Sequence, residues 1–282
     1  MKLARFQVNE DVKVGRIEGN EIVDLSSLNG GSASMREFLE KLPSIRAEAE
    51  AMAGPRYALS DVSLLAPIDD PQKFLAIGMN YKAHAEEARA AGIPVPESQL
   101  WFNKQVSCIA GPYDPTVMPN VSDMLDYEAE LGFVIGTKCR HVKRSEAHSV
   151  IAGYFVANDV SVRDWQMRSP TFTLGKSFDT HGPIGPWITT SDEIADPENL
   201  ELKMLVDGEV RQHANTSDLI YKIADQVEYL STVMTLQPGD LILTGTPSGV
   251  GAATLSWLKV GQVCRVEIEG LGAIENTIVA ES

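Results

Sequence analysis

Cysteine is scarce in this chain of 282 residues: Cys108, Cys139 and Cys264 are far apart and in no C-x-x-C pairing. That scarcity excludes a disulfide framework and a thiolate zinc site, and it suits buried thiols in a reducing compartment. No apolar run approaches the length of a membrane span. The opening "MKLARFQVNE" lacks the apolar stretch and small-residue cleavage site of a secretory signal, so the cytoplasm is the expected location. Positive charge is also in short supply, with 24 Lys and Arg against 39 Asp and Glu and a net charge of −15. Such a field repels nucleic acid and anionic lipid, and no basic cluster overrides it, so neither is expected as a partner. Familiar catalytic signatures are missing too. There is no G-x-G-x-x-G after a strand, no G-x-S-x-G elbow and no H-E-x-x-H, and "GTPSGVG" lacks the Lys of a phosphate-binding loop.

What remains is an ordinary globular composition, 44% apolar and 22% charged, in a chain long enough for a large domain with a small one attached. "KLARFQV", "VKVGRI" and "EIVDL" read as short strands separated by polar turns. "SMREFLEKLPSIRAEAEAMAG" has helical composition, with an interruption expected at Pro43 and a stop at Gly54-Pro55. Pro67 and Pro71 flank an acidic pair where one unit passes to the next, which divides the chain into residues 1–68, a small α+β domain, and residues 69–282. The second part is mostly strand with Gly and Pro punctuation, and Asp207-Gly208 is a hairpin turn. One helix is expected in "SDLIYKIADQVEYLSTVMTL", where Ile220, Ile223, Val227, Leu230 and Met234 fall at helical spacing behind an N-cap at Asn215, Thr216 or Ser217. The fold class is therefore mixed α/β and β-rich.

The segment "DYEAELGFVIG" raises a physical question. Asp126, Glu128 and Glu130 occupy alternate positions of a strand-like run and so share a face. Like charges on a partly buried face are costly unless neutralised. Oxygen-only ligands suit Mg²⁺, Ca²⁺ or Mn²⁺ better than Zn²⁺; the alternative is an edge strand whose acidic face lies in water. A further carboxylate, Asp159, ends the apolar run "YFVAND", where it could meet the others.

Five motifs in order, "GMNYKAHAEEA", "DYEAELGFVIG", "YFVANDVSVRDWQ", "GKSFDTHGPIGPWI" and "TGTPSGVG", resemble the fumarylacetoacetate hydrolase family in its smaller acylpyruvate hydrolase-like branch. The resemblance covers about residues 70 to 280, and the first 66 or so resemble an N-terminal extension of some members. It implies a mixed, largely antiparallel β-roll with flanking helices, assembled as a homodimer. It makes Glu128, Glu130 and Asp159 ligands of Mg²⁺ or Mn²⁺, places Asp126 behind them or at the sheet edge, and gives Lys176 a catalytic post beside the metal. Gln166 and Thr246 match substrate-binding positions. Arg163, in the turn that carries Gln166, is either a substrate contact or a structural ion-pair partner, and Tyr81 and Lys104 are further substrate-contact positions. His84 and Glu87, three apart on a short helix, share a face, so the carboxylate can orient the imidazole; in the family this pair lies on a lid and activates water. The implied substrate is a small anionic 2-oxo or 2,4-dioxo acid. The implied reaction is hydrolysis of a carbon–carbon bond in an acylpyruvate or fumarylpyruvate, with oxaloacetate decarboxylation, dienedioate isomerisation and ureidoglycolate-type lysis as alternatives. Three carboxylates around one divalent ion leave a net negative charge, so Lys176 and Arg163 would be needed to attract an anion.

Overall fold

In a computed structural model describing residues 1–282, strands Lys2–Val8, Asp11–Glu18 and Glu21–Asp24 form an antiparallel meander. It does not stand apart. Lys2 and Leu3 pair with Thr189 and Ile188, which joins the meander to a 12-stranded mixed sheet that continues through the rest of the chain. The middle of that sheet is strand Ala129–Ile135, antiparallel to Ile151–Asn158 on one side and to Leu241–Leu243 on the other. Every residue of Ala129–Ile135 is buried, so both faces must be covered.

Alternation along the strand assigns the covers. Ala129, Leu131, Phe133 and Ile135 enter a core shared with a five-stranded sheet and with helix Ile223–Val233, whereas Val134 enters a second core with helix Met35–Ala51. By the same parity Glu130 points to the second side, as does Ala157, its cross-strand partner.

Helix Met35–Ala51 starts at Ser34, whose hydroxyl accepts from the Glu37 N–H, and it runs unbroken through Pro43, against the interruption expected from the sequence. The stripe Phe38, Leu39, Leu42 and Ala49 is buried on the sheet. Burying a large apolar side chain is worth roughly 1.5–3 kcal/mol, so this stripe outweighs the ~3 kcal/mol cost of an internal proline. The later helix is shorter than its periodicity predicts. It begins at Ile223, and Asn215 instead caps a short turn at Thr216–Asp218. The cause is Asn80: its carbonyl accepts from Ile220 N–H at 2.7 Å and its Oδ1 from Tyr221 N–H at 2.8 Å, which holds the link extended. Asp207-Gly208, at φ of 52° and 81°, makes the expected hairpin between Glu201–Val206 and Glu209–Asn215. Cys108, Cys139 and Cys264 are free, the first and last buried and Cys139 half-buried. No helix is long and apolar enough to cross a membrane.

His181 fastens the loop after Lys176 to strand Thr116–Met118. Its Nε2–H donates to the Val117 carbonyl at 2.7 Å, while Nδ1 is buried without a partner, so the ring is neutral. Burial lowers its pKa from 6.5 to about 4. The unfolded chain therefore takes up a proton before the folded one does. Stability is fully present above pH ~6.5 and declines as pH falls toward 4, by about 3 kcal/mol for a shift of this size. Denaturant midpoints measured from pH 7 to pH 4 should show this decline, and His181→Gln should flatten it; an unchanged slope in the variant assigns the decline to other groups.

Candidate active site

The ladder between Ala129–Ile135 and Ile151–Asn158 sets the site. Glu130 lies opposite Ala157, and beyond the last regular pair the Asp159 N–H donates to the Glu128 carbonyl at 2.9 Å. Glu128, Glu130 and Asp159 thus emerge on one face, and one oxygen from each lies within 4.8 Å of the others. The small Ala157 leaves that face open. All three are buried, as is Asp126, which rules out an acidic face in water. Asp126 stands outside the triad. The regular strand starts only at Ala129, and the Asp126 carboxylate accepts instead from the N–H groups of Tyr127, Gly251 and Ala252 and from Arg163.

Three cations compensate the acids. Lys176 Nζ bridges Glu128 and Asp159 at 2.7 Å each. It reaches them because Gly175 packs so close to Gln166 that a Cβ there would lie 2.1 Å from the Gln166 nitrogen. Arg163 spans Asp126 at 2.8 Å and Glu128 at 2.7 Å. Lys104 Nζ lies 2.6 Å from Asp159 and also donates to the Val160 and Lys176 carbonyls. Every donor of that ammonium is turned inward, behind the triad. With all three donors bonded within the protein, Lys104 has no donor left over for a substrate, which favours a structural post over the expected substrate contact. Arg163 makes the ion pairs that one of its two expected roles requires.

The two glutamates of one strand are driven apart. Burial alone would raise both; for Glu128 the charges of Lys176 and Arg163 win and draw its pKa down to about 2. Glu130 makes no salt bridge, and burial with the charges of Asp159 and Glu128 pushes it well above the ordinary carboxylate range, against the charge of Lys176 and the Gly245 N–H at 2.7 Å. A buried carboxylate with this deficit, grouped with two others, fits a divalent cation held through oxygen. Glu128, Glu130 and Asp159 would hold it.

Other expected residues ring the triad. The Tyr81 hydroxyl is buried without a partner, and burial together with Glu130 raises its pKa, so it is a donor awaiting an acceptor. Gln166 Oε1 accepts from Arg163 at 2.8 Å, which leaves its amide N–H₂ to donate elsewhere. The Thr246 hydroxyl is already committed, donating to the Ala129 carbonyl at 3.0 Å and accepting from Gln212 at 2.8 Å, so what it can offer a ligand is its backbone. Helix Lys82–Ala90 carries His84 and Glu87, joined at 3.0 Å. The Gly249 N–H holds the other Glu87 oxygen at 3.2 Å, and these two bonds outweigh burial to keep the carboxyl below its usual pKa. Sequence reasoning missed Gln212, whose amide also accepts from Ala129 N–H and donates to the Pro247 carbonyl. A lone buried Gln on a hairpin strand with no other buried residue carries no pattern to find it by. It also missed Asn80, whose two-sided amide ties the root of the His84 helix to Tyr221 and Thr244.

The family model of the fumarylacetoacetate (FAA) hydrolase C-terminal domain matches residues 73–279, and the Rv2993c-like N-terminal model matches residues 1–67. The chain belongs to the fumarylacetoacetate hydrolase family. Oxaloacetate tautomerase fahd2, mitochondrial, of Xenopus laevis is 42% identical over 292 residues, covering 99% of this chain and 90% of its own. The maleylpyruvate hydrolase of Sphingobium sp. SYK-6 is 34% identical with a TM-score of 0.86, each chain covered in full, and has also been solved with manganese(II) and pyruvate. The 5-carboxymethyl-2-hydroxymuconate delta-isomerase of Mycobacterium smegmatis is 36% identical with a TM-score of 0.81, again over both whole chains. The fold is thus the family's mixed β-rich one, and the chain is an enzyme of the family.

The inward post of Lys104 has a measurable consequence. Removing one partner of a buried ion pair costs about 3–5 kcal/mol, so Lys104→Met should lose about that much stability in chemical denaturation without added metal. Normal stability with only a raised KM would return Lys104 to the role of substrate contact.

Proposed function

We propose that the chain is a divalent-metal-dependent hydrolase that cleaves the C3–C4 bond of a short 2,4-dioxo acid, of the acylpyruvate or fumarylpyruvate kind, to give pyruvate and a carboxylic acid. The observation that carries this reading is the His84–Glu87 pair, a carboxylate-oriented imidazole anchored by Gly249 beside a buried, cation-compensated acid triad. A bound Mg²⁺ or Mn²⁺ would supply Lewis-acid stabilisation of charge on the oxygens of a 2-oxo acid. The remaining work falls to the chain. Glu87 fixes the His84 tautomer, with Nδ1–H donating to the carboxylate, so Nε2 is free to take a proton from water. The resulting hydroxide adds to the 4-carbonyl. As the adduct collapses, the electrons of the C3–C4 bond pass to C3 and the 2-oxo group, giving a pyruvate enolate that is protonated at C3. Lys176 places a fixed ammonium beside that developing charge, and the free donors of Gln166 and Tyr81 are available to orient the substrate.

A second reading, keto–enol tautomerisation of oxaloacetate, is favoured by the Xenopus relative, whose match runs over nearly the whole chain. In it the imidazole moves a proton at C3 and activates no water. Oxaloacetate decarboxylation would need no base at all, because loss of CO₂ leaves the same enolate.

A panel of acylpyruvates and oxaloacetate, assayed with Mg²⁺ or Mn²⁺, separates these. For the hydrolase, His84→Ala and Glu87→Gln should each cut C–C hydrolysis by about 10²-fold or more while any decarboxylation persists. Rapid tautomerisation of oxaloacetate with no acylpyruvate consumed would install the second reading, and oxaloacetate decarboxylation faster than every hydrolysis and indifferent to His84→Ala would make the enzyme a decarboxylase. Lys176→Ala should lower kcat by about 10²-fold, as loss of an oxyanion donor does. Near-normal kcat with a raised KM would reduce Lys176 to a binding group.

A further inference from the structure

Asp126 is fully buried, lies two residues before a triad glutamate, and takes no part in the triad. Its environment is built around it. Oδ1 accepts from Tyr127 N–H at 2.8 Å and Gly251 N–H at 2.7 Å, and Oδ2 from Ala252 N–H at 2.9 Å and Arg163 Nε–H at 2.8 Å. The approach of the turn is possible only for glycine: a Cβ on Gly251 would lie 2.6 Å from Asp126 Oδ1 and 2.5 Å from the Ser256 carbonyl. Arg163 is the side chain that joins the Asp126 carboxylate directly to the triad, with Nη1 2.7 Å from Glu128 Oε1.

The guanidinium is therefore shared between two carboxylates, and the division of its charge matters. A guanidinium seated with two nitrogens on Glu128 would keep that carboxylate ionised but would occupy oxygen lone pairs that a divalent ion needs. Asp126 grips the Nε edge, leaving Arg163 to present a single nitrogen to Glu128 and a second bond to Gln166. We infer that Asp126 is a positioning residue for the metal triad, which acts through Arg163 by holding the guanidinium back from Glu128. This rests on the triad holding a divalent cation and is independent of which 2-oxo acid is turned over.

The test is Mn²⁺ binding by purified, metal-stripped full-length protein, followed by the loss of the free-ion electron paramagnetic resonance signal, with no substrate present. Asp126→Asn turns an amide donor toward Arg163 and Ala252, and it should weaken Mn²⁺ by about tenfold or more, the scale on which partners behind a ligand act. If Asp126 acts through Arg163, the double variant Asp126→Asn/Arg163→Gln should bind Mn²⁺ within about twofold of Arg163→Gln alone, since the group to be held back is gone. A mere loss of negative charge through space, or general loosening of the fold, would instead weaken both backgrounds by the same factor, and that result overturns the inference. So would an Asp126→Asn protein that binds Mn²⁺ as the wild type does. Should Asp126→Asn fail to fold, Asp126→Glu, which displaces the guanidinium by a methylene, takes its place: weakening with Arg163 present and none with Arg163→Gln is expected, and equal weakening in both, or none in either, overturns the inference. Wild-type protein that takes up no Mn²⁺ would defeat the metal site itself, an outcome separate from these.

Discussion

Charge compensation away from water is the constraint on which the site depends. Four buried carboxylates, Asp126, Glu128, Glu130 and Asp159, stand against three cations, Lys104, Arg163 and Lys176. Each ion costs several kcal/mol to bury, while a close pair recovers only about 4 kcal/mol at an effective dielectric near 20. No single pair keeps such a cluster folded; the network does. The acids come from neighbouring strands, but the cations come from the end of strand Leu100–Asn103, from the turn Arg163–Gln166 and from the loop carrying Lys176. The carboxylates therefore become tolerable only once distant segments have closed over them, which couples the site to completion of the fold.

The parts of this arrangement that could be read from the chain are those with a period or a short spacing. Alternation put Glu128 and Glu130 on one face, the three-residue interval paired His84 with Glu87, and Asp207-Gly208 announced its hairpin. The parts that could not be read are tertiary. Pro43 continues a helix because Phe38, Leu39 and Leu42 are buried elsewhere in the molecule. The start of helix Ile223–Val233 is set by Asn80, about 140 residues upstream. Lys104 follows a strand as a substrate contact would, yet in the fold its ammonium is wholly engaged with Asp159 and the Val160 and Lys176 carbonyls. Nothing in a linear pattern distinguishes a lysine in front of a carboxylate from one behind it.

The turn after Thr246 connects the two halves of the chemistry. Thr246 rests on Ala129, Gly249 holds Glu87, and Gly251 and Ala252 hold Asp126. One short segment is thus bonded to the strand that carries the triad, to the acid of the His84 pair and to the anchor of Arg163. Movement of this turn changes the base and the acid cluster together, so the distance between the imidazole and the triad is fixed by backbone N–H groups more than by any side chain on the helix itself.

Glu128 and Glu130 show what such a scaffold is suited to. Two identical side chains on one strand are held with opposite pKa shifts, one low in salt bridges with Lys176 and Arg163 and one high where no salt bridge offsets burial and the neighbouring acids. In the proposed reading a divalent ion would relieve Glu130 most, while Lys176 bridges Glu128 and Asp159, so positive charge would flank a 2-oxo acid from two directions. An enolate is the species such a field favours, because its charge lies on the oxygens of the 2-oxo acid itself. On the proposed mechanism, whether that enolate follows C–C cleavage, loss of CO₂ or removal of a proton would depend on what the His84 imidazole does and on what the substrate carries at C3. Relatives named as hydrolase, isomerase and tautomerase fit this proposed division of labour, in which the charged cluster serves a common step and the imidazole on the short helix sets the outcome.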